Sequence, residues 1–164
     1  MLLRAAVRLA PPEISVELYR DLATLPLFNA DLEASDPPPV ARLRRRIIES
    51  DAVLIASPEY AHGVSGVIKN ALDWMVSNES FVDKPVGLLN ASPRATIAQA
   101  ALRETLVTMS ARVVPHACVT VPLLGSGLDE DGIVNHAAIG SILVSVLRAL
   151  QSASRNRSAA GSSD

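Results

Sequence analysis

The segment Asp51-Ala-Val-Leu-Ile-Ala-Ser57 is a short, unbroken aliphatic run with polar residues at both ends. Such a run is typical of a parallel strand that is buried on both faces of a sheet. A second run, Val86-Gly-Leu-Leu89, follows Lys84-Pro85, and Ala117-Cys-Val-Thr-Val121 is a third candidate strand. These runs predict the centre of a parallel sheet.

The residues around these strands have apolar side chains at helical spacing. Helices are predicted over residues 1–10, 40–50, 67–75, 95–111 and 135–150. Pro11-Pro12 would end the first helix, and Ser65 is the candidate N-cap of the third. The alternation of strands and helices predicts an α/β fold with a doubly wound parallel sheet, in which ligands bind at the carboxyl ends of the strands.

The remaining segments are assigned by composition. Ile14-Ser-Val-Glu-Leu18 alternates apolar and polar residues, which predicts an edge strand. Residues 25–39 contain four prolines and predict a loop, and Gly125, Gly127 and Gly132 mark another. Residues 152–164 are rich in Ser, Ala, Arg and Asn and predict a disordered tail after one domain over residues 1–151.

The composition excludes several classes of protein. With 164 residues, of which 49% are hydrophobic, the chain can form one globular domain with a substantial core. A net charge of −2 gives no sign of a nucleic-acid surface, and no run reaches the roughly 18 apolar residues of a membrane helix. Cys118 has no second cysteine to pair with. We therefore expect a cytoplasmic protein without nucleic-acid or membrane partners.

The residues from Ser57 to Trp74 follow the first buried run, at the predicted ligand-binding edge. Pro58 fixes its own φ, while Gly63 and Gly66 permit close approach of the backbone, so this loop is expected to lie rigidly against a flat ligand. Main-chain amides would then meet ring heteroatoms. No Ser-His-Asp or paired-carboxylate constellation stands out, and the histidines lack the spacing of metal ligands.

Pro58-Glu59-Tyr60, Ser65-Gly66 and Ile68-Lys-Asn-Ala-Leu-Asp-Trp74 resemble the signature of the NADPH-dependent FMN reductase family, which includes quinone, chromate and azo-dye reductases. The resemblance extends from about Arg4 to Leu150. It implies a flavodoxin-like, three-layer α/β/α fold, bound FMN, NAD(P)H as hydride donor, a small-molecule electron acceptor such as a quinone or free flavin, and a homodimer or homotetramer. The flavin contacts that it implies are Pro58, Glu59, Tyr60, Ala61, His62, Ser92, Pro93 and Arg94.

Each of these side chains also has a simpler interpretation. Glu59 and Tyr60 would otherwise belong to a rigid surface loop, and His62 would be an exposed histidine rather than a contact to nicotinamide or substrate. Arg94 either meets a phosphate or reduced flavin, or is a solvated residue at a helix start. Asp73-Trp74 is expected to serve packing and subunit contact, and Cys118 is expected to be a core residue.

Members of this family usually open with a strand and a Gly-Ser-x-Arg-x-x-Ser-x-Asn loop that holds the FMN phosphate. The sequence contains neither, and its first ten residues resemble the helix that follows that loop, as expected if the start codon is assigned too far downstream. Because the missing first strand is internal in the order 2-1-3-4-5, we expect a gap of about 9 to 10 Å, weak FMN binding and marginal stability.

Two rival hypotheses use the same fold. The first is a truncated, non-enzymatic remnant that associates through exposed strand edges. The second is a response-regulator receiver, which requires clustered acidic residues at the end of the first strand, and these are not found.

Overall fold

The computed structural model describes residues 1–123 and 125–161, with side chains as far as residue 156. Its strands are β1 (Val53–Ala56), β2 (Glu59–Tyr60), β3 (Gly63–Val64), β4 (Pro85–Asn90) and β5 (Arg112–Thr120). Its α-helices are α1 (Leu2–Arg8), α2 (Pro38–Glu49), α3 (Gly66–Asp73), α4 (Thr96–Thr108), α5 (Glu130–Asn135) and α6 (Ala137–Gly161). Short 3₁₀ helices lie at Asp21–Thr24, Ala30–Ser35 and Glu79–Phe81.

The central sheet has three parallel strands in the order β1-β4-β5. All six residues of β4 are buried, as predicted for an aliphatic strand covered on both faces. Gly87 is required at its centre, because a Cβ there would lie 3.0 Å from the Cβ and carbonyl oxygen of Ala117 and from Cδ1 of Leu54. This close approach coincides with an irregularity in the β4–β5 pairing between Val86 and Leu88.

The helices cover the sheet on both faces. On one face α2, α3 and α4 contribute to a core that includes Leu43, Leu72 and Leu106. On the other face α1, α5 and α6 contribute to a second core with Ile133 and Leu143. The prediction of a three-layer α/β/α architecture therefore agrees with the described residues.

The predicted edge strand at Ile14–Leu18 is wrong, because this segment forms no strand and pairs with none among the described residues. The alternation of apolar and polar residues does correspond to burial, since the three apolar side chains of this segment are half-buried and its two polar side chains are exposed. A cleft of about 690 Å³ separates the segment from β1, so no strand edge lies within hydrogen-bonding reach. The hydroxyl of Tyr19 is buried beside this cleft without a hydrogen-bond partner in the described part of the chain. The cleft lies where the gap in the sheet was expected.

Three local predictions also need correction. Gly132 lies within α5 and not in a loop, since Asp129 caps that helix by accepting from the Gly132 amide at 2.7 Å. Ser65 is the N-cap residue of α3, as predicted, but its side chain makes no capping hydrogen bond. The third strand, β5, begins at Arg112, five residues before the aliphatic run that predicted it, because sheet pairing continues through its more polar first half.

Helix α6 is longer than predicted. Residues 152–161, which were assigned to a disordered tail, are helical, and residues 162–164 lie outside the described residues. Adding residues to the end of an existing helix avoids the unfavourable nucleation step, and Ala, Arg and Gln have high helix propensity. The 20 residues Ala137–Asn156 are long and apolar enough to cross a membrane, a test that core helices also pass. Here Leu143, Val146 and Leu150 are buried in the second core.

Candidate functional site

Strand β1 leads into a tight hairpin at the carboxyl edge of the sheet. In this hairpin, β2 and β3 pair Glu59 with Val64 and Tyr60 with Gly63, which leaves a two-residue loop of Ala61 and His62. Both loop residues have positive φ, 48° and 59°. Two-residue hairpin loops of type I′ need this geometry and usually take Asn-Gly, whereas other L-residues adopt it at a cost of roughly 1–2 kcal/mol each. Backbone strain of this kind is concentrated at functional sites.

Glu59 links this hairpin to helix α4. Its Oε2 accepts a hydrogen bond from the Ala98 amide in the first turn of α4 at 2.8 Å, and its Oε1 lies 3.2 Å from Nδ1 of His62. The Ala98 hydrogen bond holds the pKa of the Glu59 carboxyl below its usual value, and His62 adds to this effect. The side chain of Glu59 is 12% exposed, whereas that of His62 is 77% exposed.

A second loop, residues 91–95, follows β4 at the same edge of the sheet. It is shaped by the buried Asn90, whose Oδ1 accepts from the Ser92 amide at 3.0 Å and whose Nδ2 donates to the Ala95 carbonyl at 3.2 Å. The Ser92 hydroxyl accepts from the Arg94 amide at 3.3 Å. Sequence reasoning missed Asn90, although an amide side chain that ends an aliphatic strand was a usable signal.

The structure brings the predicted site residues together on these two loops. Those with exposed side chains are Pro58, Tyr60, Ala61, His62, Pro93 and Arg94, while Ser92 is half-buried. Glu59 differs, because its carboxylate is already bound to α4. A Cβ at Gly66 would meet no atom of the chain within 4 Å, and the close approach of a ligand expected at Gly66 stays a prediction.

The backbone of the hairpin fits a flat heterocycle with acceptor atoms. The amides of Ala61 and His62 make no hydrogen bond within the described chain, and both side chains are exposed. Tyr60 adds an aromatic ring that is 69% exposed. These groups suit the ring system of FMN, which presents a planar face and carbonyl and ring-nitrogen acceptors. That they contact flavin stays a prediction.

Helix α3 anchors a neighbouring loop through two residues of the signature motif. Asn70 donates from Nδ2 to the Pro26 carbonyl at 3.0 Å and accepts from the Phe28 amide at 2.8 Å. Trp74 donates from Nε1 to the same carbonyl at 2.8 Å, and its ring meets Phe28 edge-on with centroids 5.1 Å apart. The predicted packing role of Trp74 is confirmed. The Trp74 side chain is only 3% exposed and is enclosed by its own chain, whereas the Asp73 side chain is 29% exposed, and the subunit contact expected for Asp73-Trp74 stays a prediction.

The chain is similar to known proteins over most of its length. Residues 1–123 match the family model described as NADPH-dependent FMN reductase. An NAD(P)H-dependent FMN reductase of Pseudomonas aeruginosa is 35% identical over 155 residues, which cover 91% of this chain and 83% of that protein. A quinone reductase of Escherichia coli K12 is 33% identical over 121 residues, covering 69% of this chain and 64% of that protein.

A solved structure gives the same result for the fold. The flavoenzyme NAD(P)H:(acceptor) oxidoreductase FerB of Paracoccus denitrificans superimposes with a TM-score of 0.71 at 27% identity, covering 92% of this chain and 88% of that chain. The predicted flavodoxin-like fold class and the resemblance drawn from the Pro58–Trp74 region are therefore confirmed. We conclude that the chain belongs to the NADPH-dependent FMN reductase family, a family of oxidoreductases that use FMN and NAD(P)H.

Proposed function

We propose that this protein is an FMN-dependent NAD(P)H oxidoreductase whose acceptor is a quinone, a free flavin or a similar small electrophile. The observation that carries the proposal is the pair of loops, 57–64 and 91–95, at the carboxyl ends of adjacent parallel strands. Ligands of open α/β sheets bind at this edge. The quinone reductase of Escherichia coli and the FMN reductase of Pseudomonas aeruginosa support the same reaction class.

The residues of the two loops bind and orient the cofactor in this proposal. The free amides of Ala61 and His62 donate to acceptors of the flavin ring, and Tyr60 packs beside it. Arg94, which is exposed at the start of α4, offers a cation to the reduced flavin or to a phosphate of the nicotinamide cofactor. The redox chemistry, hydride acceptance from NAD(P)H and delivery of electrons to the acceptor, is supplied by the flavin when bound.

The proposal includes a homodimer or homotetramer in the cytoplasm. Apolar side chains on or beside α3 are exposed, and they offer a surface for a second copy: Leu27 is 84% exposed, Val67 51% and Phe28 38%. A single cysteine suits a reducing compartment. Light scattering on the purified protein, compared with a Leu27→Ser variant, tests the assembly, and a monomeric wild type would contradict it.

Rapid mixing under anaerobic conditions tests the activity. The protein is reconstituted with excess FMN, freed of unbound flavin and mixed with NADPH, and loss of the visible flavin band is followed. We expect reduction of bound flavin and its reoxidation when a quinone is added. FMN without protein is the control. Reduction no faster than in that control would reject the proposed function.

A further inference from the structure

Helix α4 receives its N-terminal cap from a different loop. Its own N-cap residue, Ala95, has no side chain that accepts a hydrogen bond, and within the preceding loop only the Arg94 carbonyl accepts from an amide of the first turn, that of Thr96 at 3.0 Å. Oε2 of Glu59 takes this place by accepting from the Ala98 amide at 2.8 Å. A carboxylate at this end of a helix is stabilised by the charge-assisted hydrogen bond and by the helix dipole.

The same carboxylate holds the strained turn of the hairpin. Its second oxygen lies 3.2 Å from Nδ1 of His62, one of the two loop residues with positive φ. A further contact crosses the gap between hairpin and helix, since Nε2 of Gln99 lies 3.5 Å from the Ser57 carbonyl oxygen. The loop of residues 91–95 runs directly into α4. A shift of α4 would therefore move both loops of the candidate site.

We propose that Glu59 is a positioning residue, which ties the 57–64 hairpin to the first turn of α4 and so fixes the two flavin-binding loops relative to each other. The link to flavin rests on the proposed function, whereas the tie between hairpin and helix does not. Glu59 is 12% exposed, and both of its carboxylate oxygens are engaged within the chain. It therefore acts on the cofactor through the backbone that it holds.

The ionisation of Glu59 agrees with this role. Its pKa is held below the usual value first by the Ala98 amide, then by His62, with a smaller contribution from the Ile97 amide. The carboxylate is therefore charged at neutral pH, when a charge-assisted bond to the helix is strongest.

Two substitutions of Glu59 and one control substitution distinguish the contact between hairpin and helix from a general effect on stability. Glu59→Ala removes both contacts, and Glu59→Gln keeps an oxygen acceptor for the Ala98 amide but removes the charge. The matched control is Asp129→Ala, because Asp129 is also a carboxylate that caps a helix, accepting from the Gly132 amide at 2.7 Å. Asp129 belongs to neither loop of the candidate site.

Amide hydrogen exchange without flavin gives the first measurement. In Glu59→Ala we expect exchange at Ala98 and in residues 60–64 to be about tenfold faster than in the wild type, the factor typical of losing one hydrogen bond to a charged group. The exchange rates in Glu59→Gln should lie between those of the wild type and Glu59→Ala, and Asp129→Ala should leave the exchange rates of these residues unchanged. Unchanged exchange at Ala98 in Glu59→Ala would overturn the proposal.

The visible circular dichroism of bound FMN gives the second measurement, because it reports the surroundings of the flavin ring. At saturating FMN we expect an altered spectrum in Glu59→Ala, partial restoration in Glu59→Gln, and the wild-type spectrum in Asp129→Ala. An unaltered spectrum in Glu59→Ala would show a purely structural role and overturn the positioning of flavin. If the wild type binds no FMN, the proposed function fails, and the exchange at Ala98 alone decides whether Glu59 ties the hairpin to α4.

Discussion

Asn70→Ala should loosen the loop that contains Pro26 and Phe28, because the Asn70 side chain makes two of the three hydrogen bonds that Asn70 and Trp74 form with this loop. Asn70 donates to the Pro26 carbonyl and accepts from the Phe28 amide. Each hydrogen bond contributes about 0.5–1.5 kcal/mol net. Because Asn70 is half-buried, water can form some of the hydrogen bonds that the variant loses, and Trp74 still donates to the Pro26 carbonyl. We therefore expect a loss of about 1–2 kcal/mol in the free energy of unfolding and a Tm lower by roughly 2–8 °C.

Denaturant unfolding followed by tryptophan fluorescence measures this loss, and Trp74 is the only tryptophan of the chain. Asn70→Asp keeps the acceptor for the Phe28 amide but replaces Nδ2 with a carboxylate oxygen that repels the Pro26 carbonyl oxygen, so it should lose at least as much as Asn70→Ala. Lys69→Ala is the control, because Lys69 is exposed and makes only a surface ion pair with Asp73. If Asn70→Ala changes the free energy of unfolding by less than about 0.5 kcal/mol, as ordinary surface substitutions do, the loop is not held by this side chain.

Three further predictions concern other parts of the molecule. Gly87→Val places a side chain where even a Cβ would lie 3.0 Å from neighbouring atoms. It should lower the free energy of unfolding, measured by denaturant titration, by at least about 1–3 kcal/mol. An unchanged unfolding midpoint would contradict tight packing at this position. Ala61→Gly relieves one strained φ without removing the contact between His62 and Glu59, and it should raise the free energy of unfolding by about 0.5–1 kcal/mol once the greater backbone entropy lost by glycine is subtracted. A lower free energy of unfolding in Ala61→Gly would contradict strain in the turn. Hydrogen bonds from Arg4 and, to a smaller extent, Arg8 hold the pKa of Glu130 below its usual value. The stability that Glu130 contributes is therefore complete above the unfolded pKa of about 4.3 and is lost as the pH falls through the lower folded pKa. Glu130→Gln should therefore flatten stability against pH in this acid range, and high salt should weaken the wild-type effect, so identical profiles for the two proteins would contradict it.

The parts of the fold that follow from aliphatic patterning were predicted well. The run after Asp51 forms β1, and the run after Lys84 forms β4. Helix α2 was predicted to within two residues at its start, because Pro38 at the first position and the spacing of Leu43 and Ile47 mark it clearly. These elements have local signals that do not depend on distant partners.

The failures concern elements whose state depends on distant neighbours. Ile14–Leu18 has the alternation of a strand, yet a strand needs a partner edge, and on the side of β1 a cleft lies beside this segment. The residues after Leu150 have a polar composition, but they continue an existing helix. For the candidate site, the Pro58–Trp74 motif marked the first loop, and the family resemblance that this motif carries added residues 92–94 of the second. The sequence could not show that the Glu59 carboxylate faces α4, because the Glu59 contact spans 39 residues of sequence.

The direction of α6 has a practical consequence for experiments on this protein. Its last turns lie beside the start of β5, where the Arg112 guanidinium donates to the Ala153 carbonyl, so the helix finishes at the amino edge of the sheet. The two loops of the candidate site lie at the opposite edge, about 20 Å away for strands of six residues. A fluorophore or surface linker attached beyond Ala153 should therefore leave the two loops of the candidate site unobstructed, and immobilised protein should present those loops to solution.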